Sequence, residues 1–322
     1  MTIEKLPSGI YRIREMKNGK RYSVTVPFKP TKREAFDILQ EYKTGKHSNV
    51  SFGSACETYI ASKSHILSPS TLKEYKSTVK NLPDDLKAMP VDAVDNRTVQ
   101  EYINAYSADH APKSVRNRYG FIHAVLLFYD PDTKVSASLP QKIPHDGYVP
   151  TIEDIKRILE YDRDSIFYVP LYLATLSCRL SEICALTLDD LHGNMLTINK
   201  AKVQSENGYV VKPVAKTDAS NRTIAIPAEL ADRIRSQGFI YPYAPRNVYK
   251  HLKRIQKKLG IPEFGVHRLR HFFASYSHDL GYSDAVIQSV GGWNTPHVMK
   301  SVYRHAMNED DAKRTMASDF KF

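Results

Sequence analysis

The chain has 322 residues, 42% of them hydrophobic, and its 46 lysines and arginines against 35 acids give a formal net charge of +11. That apolar content excludes a disordered chain, and the length suits two or three domains. The basic excess fits a polyanionic partner, either nucleic acid or an anionic membrane surface.

The three cysteines, Cys56, Cys178 and Cys184, are odd in number and lack metal-ligand spacing. This fits a reducing cytosol and argues against a disulfide framework. The first stretch, MTIEKLPSGIYRIRE, holds no apolar signal-peptide core, and IFYVPLYLATL and FIHAVLLFY are too short to span a bilayer. A cytoplasmic protein with no membrane partner is expected.

Residues 1–48 are expected to form a small sheet-plus-helix module. YRIRE and RYSVTV alternate in the manner of strands and flank Asn18-Gly19, a hairpin turn signal. Thr31 is placed to cap a helix through KREAFDILQEYKTG that stops at Gly45. The hairpin carries Arg12, Arg14, Lys17, Lys20 and Arg21. On one sheet face these suit phosphate contacts or groove insertion, although a solvated charged hairpin has the same composition.

Residues 49–140 read as helical, with apolar residues at three- and four-residue spacing in SFGSACETYIASK, STLKEYKSTVKNL, RTVQEYINAYSA and KSVRNRYGFIHAVLLFY. Ser68 before Pro69 is a helix-start signal. SLPQKIPHDGYVPT reads as an exposed linker into a third domain, residues 141–322. That domain opens on the capping-box pattern Thr151-x-x-Asp154. Helices are expected through IEDIKRILEY, DSIFYVPLYLATL and LSEICALTL, then strands at MLTINKA, YVVKPVAK and RTIAIP, then helices again from APRNVYKHLKRIQKKLG onward. The fold class is therefore mainly α with small β elements, α+β.

Six residues of the third domain could together handle a phosphate: Arg179, Lys216, His267, Arg270, Trp293 and Tyr303. Guanidinium forks match phosphate oxygens, a lysine or histidine moves protons, an indole N–H donates, and a phenol can attack phosphorus. Singly, each has an ordinary reading. Arg179 could pair with Glu182 or Asp189, Trp293 could be core, Tyr303 is one of 20 tyrosines, and Lys216 has rivals in Lys200, Lys202 and Lys212. His267 and Arg270 share one helix face, and His271 beside them suits packing.

The order changes the weight of these signals. Arg179 in LSCRLSE, Lys216 in AKTDASNRTIAIP, His267-x-x-Arg270, Trp293 after two glycines, and Tyr303 in YRH together resemble the tyrosine recombinase (phage integrase) family. The resemblance covers roughly residues 150–310. It departs at Ser177-Cys178, which stand where the family has a glycine-containing turn.

The resemblance implies an arm-binding module, a helical core-binding domain and a catalytic domain that recombines specific double-stranded DNA sites. It implies that Tyr303 attacks a phosphate to give a 3′-phosphotyrosine, with Arg179, Arg270, His267 and Trp293 on the non-bridging oxygens and Lys216 protonating the 5′ oxygen. Neither a metal nor another cofactor is called for. It further implies a homotetramer on DNA and accessory DNA-bending or directionality proteins. A type IB topoisomerase-like enzyme and a catalytically silent DNA-binding regulator are the alternatives.

Overall fold

The computed structural model describes residues 1–322 apart from 8, 18–19, 44–49, 143–146, 214–220 and 296–322, with Lys17, Lys20, Glu41 and Lys43 described by backbone alone. The chain divides into two units, Met1–Pro144 and His145–Phe322.

The first unit opens on an antiparallel sheet of β1 (Thr2–Lys5), β2 (Tyr11–Lys17) and β3 (Lys20–Val26), in that order. Alternation along β2 and β3 puts Ile13, Val24 and Val26 on one face, where Ala35 and Leu39 of α1 (Lys32–Lys43) cover them. Thr31 caps α1 as its sequence suggests: its backbone N–H donates to Glu34 Oε2 at 2.7 Å, and Glu34 N–H donates to Thr31 Oγ1 at 3.3 Å.

The opposite sheet face is also occupied. Arg12 and Arg14 reach Asp132 at 3.5 Å, and Thr25 Oγ1 donates to the Tyr129 carbonyl. Leu6 and Ile10 belong to the apolar core of the helices that follow. Those helices are α2 (Phe52–Ser62), α3 (Pro69–Lys80), α4 (Asp84–Ala88), α5 (Asn96–Ser107) and α6 (Pro112–Tyr129). Ser51, Ser68 and Asp95 cap α2, α3 and α5 through their side-chain oxygens.

The second unit starts with α7 (Ile152–Tyr161), whose capping box joins Thr151 and Asp154 in both directions. It continues through α8 (Tyr168–Thr175), α9 (Leu180–Ile183), β4 (Leu191–His192), β5 (Met195–Ile198), β6 (Lys200–Ser205), β7 (Gly208–Pro213) and β8 (Arg222–Ala225). It closes with α10 (Ala228–Gln237), α11 (Pro245–Leu259), α12 (His267–Asp279) and α13 (Asp284–Gly291).

Two elements here differ from expectation. The strand expected over MLTINKA is two strands that part at Asn199: β5 pairs with β8, while β6 pairs with β7. The helix expected through LSEICALTL is a single turn, α9. Thr187 ends that segment by forming its own capping box with Asp190, which competes with continuation of the helix.

The apolar run in α8 is core and not a membrane segment: Val169, Leu171 and Leu173 have no exposed surface, and α12 packs on this helix. Among the described residues no helix is long and apolar enough to cross a membrane. Truncating one such leucine to alanine would cost about 2–5 kcal/mol, so the positions of α8 and α12 are firmly set. That matters because the ends of both helices build the site.

Candidate functional site

The site begins where α8 stops. Cys178 N–H donates to the Leu173 carbonyl at 3.1 Å and Ser177 N–H to the Ala174 carbonyl at 3.2 Å, the two bonds of a Schellman stop. The left-handed position of such a stop normally holds glycine, but here Ser177 occupies it with φ +72°. Its hydroxyl donates to the Val290 carbonyl at 3.3 Å, which offsets part of that conformational cost. The departure from the family's glycine turn thus leaves the turn itself in place.

Arg179 follows as the N-cap of α9. Its backbone N–H donates to Glu182 Oε2 at 2.8 Å and its Nη1 to Glu182 Oε1 at 2.7 Å. The second nitrogen, Nη2, donates to the Gly292 carbonyl at 3.0 Å, and about a third of the side chain (36%) stays exposed. Glu182 is itself buried, at 1% exposure, and Arg222 at the start of β8 holds it from the other side. Arg222 Nη2 donates to Oε2 at 2.9 Å and Nη1 to Oε1 at 3.4 Å.

Arg270 comes in from α12. Its Nη1 donates to the Ser177 carbonyl and its Nη2 to the Gly292 carbonyl at 3.4 Å. Its guanidinium lies over the Trp293 ring, 4.0 Å from the centroid, a cation–π contact that also fixes its plane. Trp293 is buried with Ala274 and Ile287, and Phe273 stacks alongside at 6.3 Å.

The two glycines before Trp293 have separate jobs. Gly292 takes φ +64° to end α13 in a second Schellman stop, with Trp293 N–H on the Gln288 carbonyl at 3.1 Å. Gly291 leaves room for the indole, because a Cβ there would lie 1.7 Å from Trp293 Cζ3.

Two helix C-termini therefore meet in this site, and their unpaired carbonyls are satisfied by three arginines. Carbonyls at Ser177, Val290 and Gly292 accept from Arg270, Arg222 and Arg179. Among the described residues, three guanidinium charges face one carboxylate, Glu182, an excess of two positive charges.

The titrating groups respond to this excess. Burial pushes the Arg270 pKa down, the charges of Arg179 and Arg222 push the same way, and it settles at about 9, still cationic at neutral pH. His267, at the start of α12, is held below its usual value first by desolvation and then by Arg270, Arg179 and Arg268. It is therefore neutral at pH 7, able to accept a proton or donate one hydrogen bond. Burial alone would raise the Glu182 carboxyl, but the hydrogen bond and charge of Arg222, followed by Arg179, outweigh it and hold the group below its ordinary range.

Of the six expected site residues, Arg179, His267, Arg270 and Trp293 come together around this pocket. Lys216 and Tyr303 lie outside the described residues. Two rivals of Lys216 are engaged elsewhere: Lys200 pairs with Asp190 at 2.7 Å, and Lys202 donates to the Pro242 carbonyl at 2.5 Å. The expected Arg179–Glu182 pair forms, and it orients the arginine without enclosing it. His271 packs edge-on against His267 at 5.2 Å.

Arg222 joins the site without having been expected there, and Glu182 is expected from the sequence only as a partner of Arg179. Glu182 carries a signal in the string RLSE, three residues past Arg179, but nothing in the sequence brings Arg222 to it across 40 positions.

The amino-terminal hairpin needs a correction. Arg12 has only 5% of its surface exposed and braces Asp132, and Arg14 divides its contacts between Glu4 and Asp132. These two arginines hold the sheet to the end of α6 and the turn after it, because that sheet face packs inward. Arg21 is exposed, whereas the side chains of Lys17 and Lys20 lie outside the described residues. All three cysteines are free and buried, and burial pushes the Cys178 thiol up to about 12. The described residues contain no group of three or more His, Cys, Asp or Glu able to hold a metal ion.

Residues 151–310 match the phage integrase family, so the chain carries a domain of that family. A protein assigned as the prophage phiRv2 integrase of Mycobacterium tuberculosis is 25% identical over 198 residues, covering 55% of this chain and 52% of that protein. The chain thus spans about half the length of the curated relatives it matches.

Among solved structures, a Tn1549 transposon integrase in complex with a circular intermediate DNA superposes with a TM-score of 0.64 at 17% identity, over 84% of this chain and 99% of that one. A lambda integrase dimer bound to a COC′ core site gives 0.60 at 16% identity, over 95% of each chain. At these identities the likeness establishes the α+β fold of a tyrosine recombinase.

Proposed function

We propose that this protein is a site-specific DNA recombinase that integrates or excises a mobile element through a 3′-phosphotyrosine intermediate. The observation that carries the reading is the pocket in which Arg179 and Arg270 share the Gly292 carbonyl beside Trp293, with two positive charges in excess. A phosphodiester brings one negative charge, and attack by a tyrosine oxygen brings a second as the phenol loses its proton. The pocket's excess matches that dianionic transition state, and its donors are fixed before the substrate arrives.

In this mechanism the Tyr303 oxygen forms a bond to phosphorus as the bond to the 5′ oxygen breaks. Arg179 and Arg270 hold non-bridging oxygens. Neutral His267 takes a hydrogen-bonding place at the phosphate and assists removal of the phenol proton, and the Trp293 indole N–H donates to an oxygen. Lys216 gives the 5′ oxygen its proton, a role supported by the engagement of Lys200 and Lys202 in other contacts. Religation by a different 5′ hydroxyl reverses the step, so the covalent ester conserves the bond energy.

Exchange between two duplexes calls for four copies of the chain, with DNA-bending or directionality proteins setting the outcome. A cytoplasmic location goes with this activity. Three functional parts are proposed: residues 1–48, residues 49–140 as the core-site binder, and residues 141–322 as the catalytic part. In the first of these, Arg21 is the hairpin arginine whose side chain is exposed and available to phosphate.

A nicked suicide duplex carrying the attachment core tests the proposal. The wild-type chain forms a covalent protein–DNA adduct and Tyr303→Phe forms none, while Lys216→Ala binds normally and cleaves slowly. An adduct that persists in Tyr303→Phe refutes the nucleophile. Relaxation of plasmid lacking any paired sites identifies a topoisomerase, and binding without any adduct identifies a silent regulator.

A further inference from the structure

Arg222 stands in the AKTDASNRTIAIP string with no role assigned to it, yet it is tied to the site through every nitrogen of its guanidinium. Its Nε donates to the Val290 carbonyl at 3.0 Å, its Nη2 to the Ser177 carbonyl at 3.5 Å, and its fork grips Glu182. The side chain is 6% exposed, and all three of its guanidinium nitrogens are engaged by these partners.

We propose that Arg222 is a positioning residue for phosphate binding, acting through Glu182 on Arg179. Glu182 has two carboxylate oxygens and four donors: the backbone N–H and Nη1 of Arg179, and both terminal nitrogens of Arg222. A carboxylate held on one side by a planar fork cannot rotate, so the oxygen offered to Arg179 Nη1 stays in one place. Arg179 is then fixed at both ends of its guanidinium, by Glu182 and by the Gly292 carbonyl, while its exposed edge faces the pocket.

Arg222 also neutralises the second half of the charge interaction. Without it, Glu182 and Arg179 form an isolated pair, and a phosphate must compete with that carboxylate for Arg179. With Arg222 present, Glu182 is shared, and Arg179 retains attraction for an anion. Arg222 thus orients Arg179 and frees its charge in one arrangement.

The inference rests on the recombinase reading only for its cleavage arm. The first measurement is independent of cleavage. Trp293 is the chain's sole tryptophan and lies under Arg270, so its fluorescence reports anion entry into the pocket. Titration of the full-length protein with inorganic phosphate is expected to show weakening by about tenfold or more in Arg222→Gln and by a few-fold, about three, in Arg222→Lys. Unchanged phosphate affinity in Arg222→Gln overturns the proposal. Should that variant not fold, an Arg222→Lys protein with wild-type affinity does the same.

The second measurement is single-turnover cleavage of two suicide duplexes, one with the ordinary 5′ oxygen and one with sulfur at that bridging position. A thiolate leaves without a proton, so the sulfur substrate removes the requirement for Lys216. Arg222→Gln is expected to cleave both substrates about a hundredfold slowly, with DNA affinity within about threefold of wild type. The double variant Arg222→Gln, Glu182→Gln is expected to be no slower than Glu182→Gln alone. Restoration on the sulfur substrate would place the effect on the Lys216 side and overturn the proposal, as would additive single-variant effects. Absence of any wild-type adduct would refute the recombinase reading, while the phosphate titration would still decide the role of Arg222.

Discussion

Replacing Glu182 by glutamine removes the one negative charge among three guanidinium groups while keeping the side-chain shape. The carboxylate is 1% exposed and takes four hydrogen bonds from Arg179 and Arg222. Glutamine can accept through one oxygen only, and its NH₂ group points donors at donors. Breaking a buried pair by removing one partner costs about 3–5 kcal/mol, because the remaining charge is left uncompensated.

For a unit of this size each kcal/mol moves the melting temperature by about 2–4 °C, giving an expected drop of about 6–20 °C. Trp293 fluorescence follows this unit selectively, since no other tryptophan exists in the chain. Phosphate should recover part of the loss by standing in for the missing charge: at ten times its dissociation constant a ligand adds about 1.4 kcal/mol. A melting temperature within about 2 °C of wild type, or no greater response to phosphate than wild type shows, would refute the charge argument.

Three further outcomes are expected. Gly291→Ala places a Cβ inside the Trp293 ring position, so it displaces the indole; a red-shifted, quenched Trp293 emission with stability lowered by about 1–3 kcal/mol checks this. Arg12→Ala is expected to destabilise the first unit by about 1–3 kcal/mol and leave the salt dependence of half-site binding unchanged, whereas Arg21→Ala lowers the salt slope by about one without loss of stability. His267 has a folded pKa below its unfolded value, so the unfolded chain binds more protons as pH falls below about 6.5. The stability contribution of its neutral form is complete above that pH and is lost as pH falls toward the depressed folded value. Melting temperature against pH should therefore flatten in this window for His267→Asn; identical slopes would contradict the assignment.

Much of the architecture is legible in the order of the amino acids. Local chemistry sets the caps at Thr31, Ser68 and Thr151, and periodicity locates α2, α3, α5 and α6. Short elements escape or merge because they carry too few residues for a period: α9 is one turn, β4 is two residues, and β5 runs into β6 with only Asn199 between them. The inward turn of Arg12 is equally hidden, since an alternating strand with two buried faces looks like one with a solvated face. What covers the second face comes from residue 132, far along the chain.

The sequence by itself pointed to the family and to the residues proposed for its chemistry, because residue types in a fixed order carry them: Arg179, His267-x-x-Arg270 and the two glycines before Trp293 each stand within a recognisable string. Only the tertiary structure decided how those residues are held. Two helices end side by side, with φ +72° at Ser177 and φ +64° at Gly292, and their carbonyls call three arginines into one place. Hydrogen bonds between residues 40 to more than 100 positions apart have no local signature, and so Arg222, which ties Glu182 to the rest, could be recognised only in three dimensions.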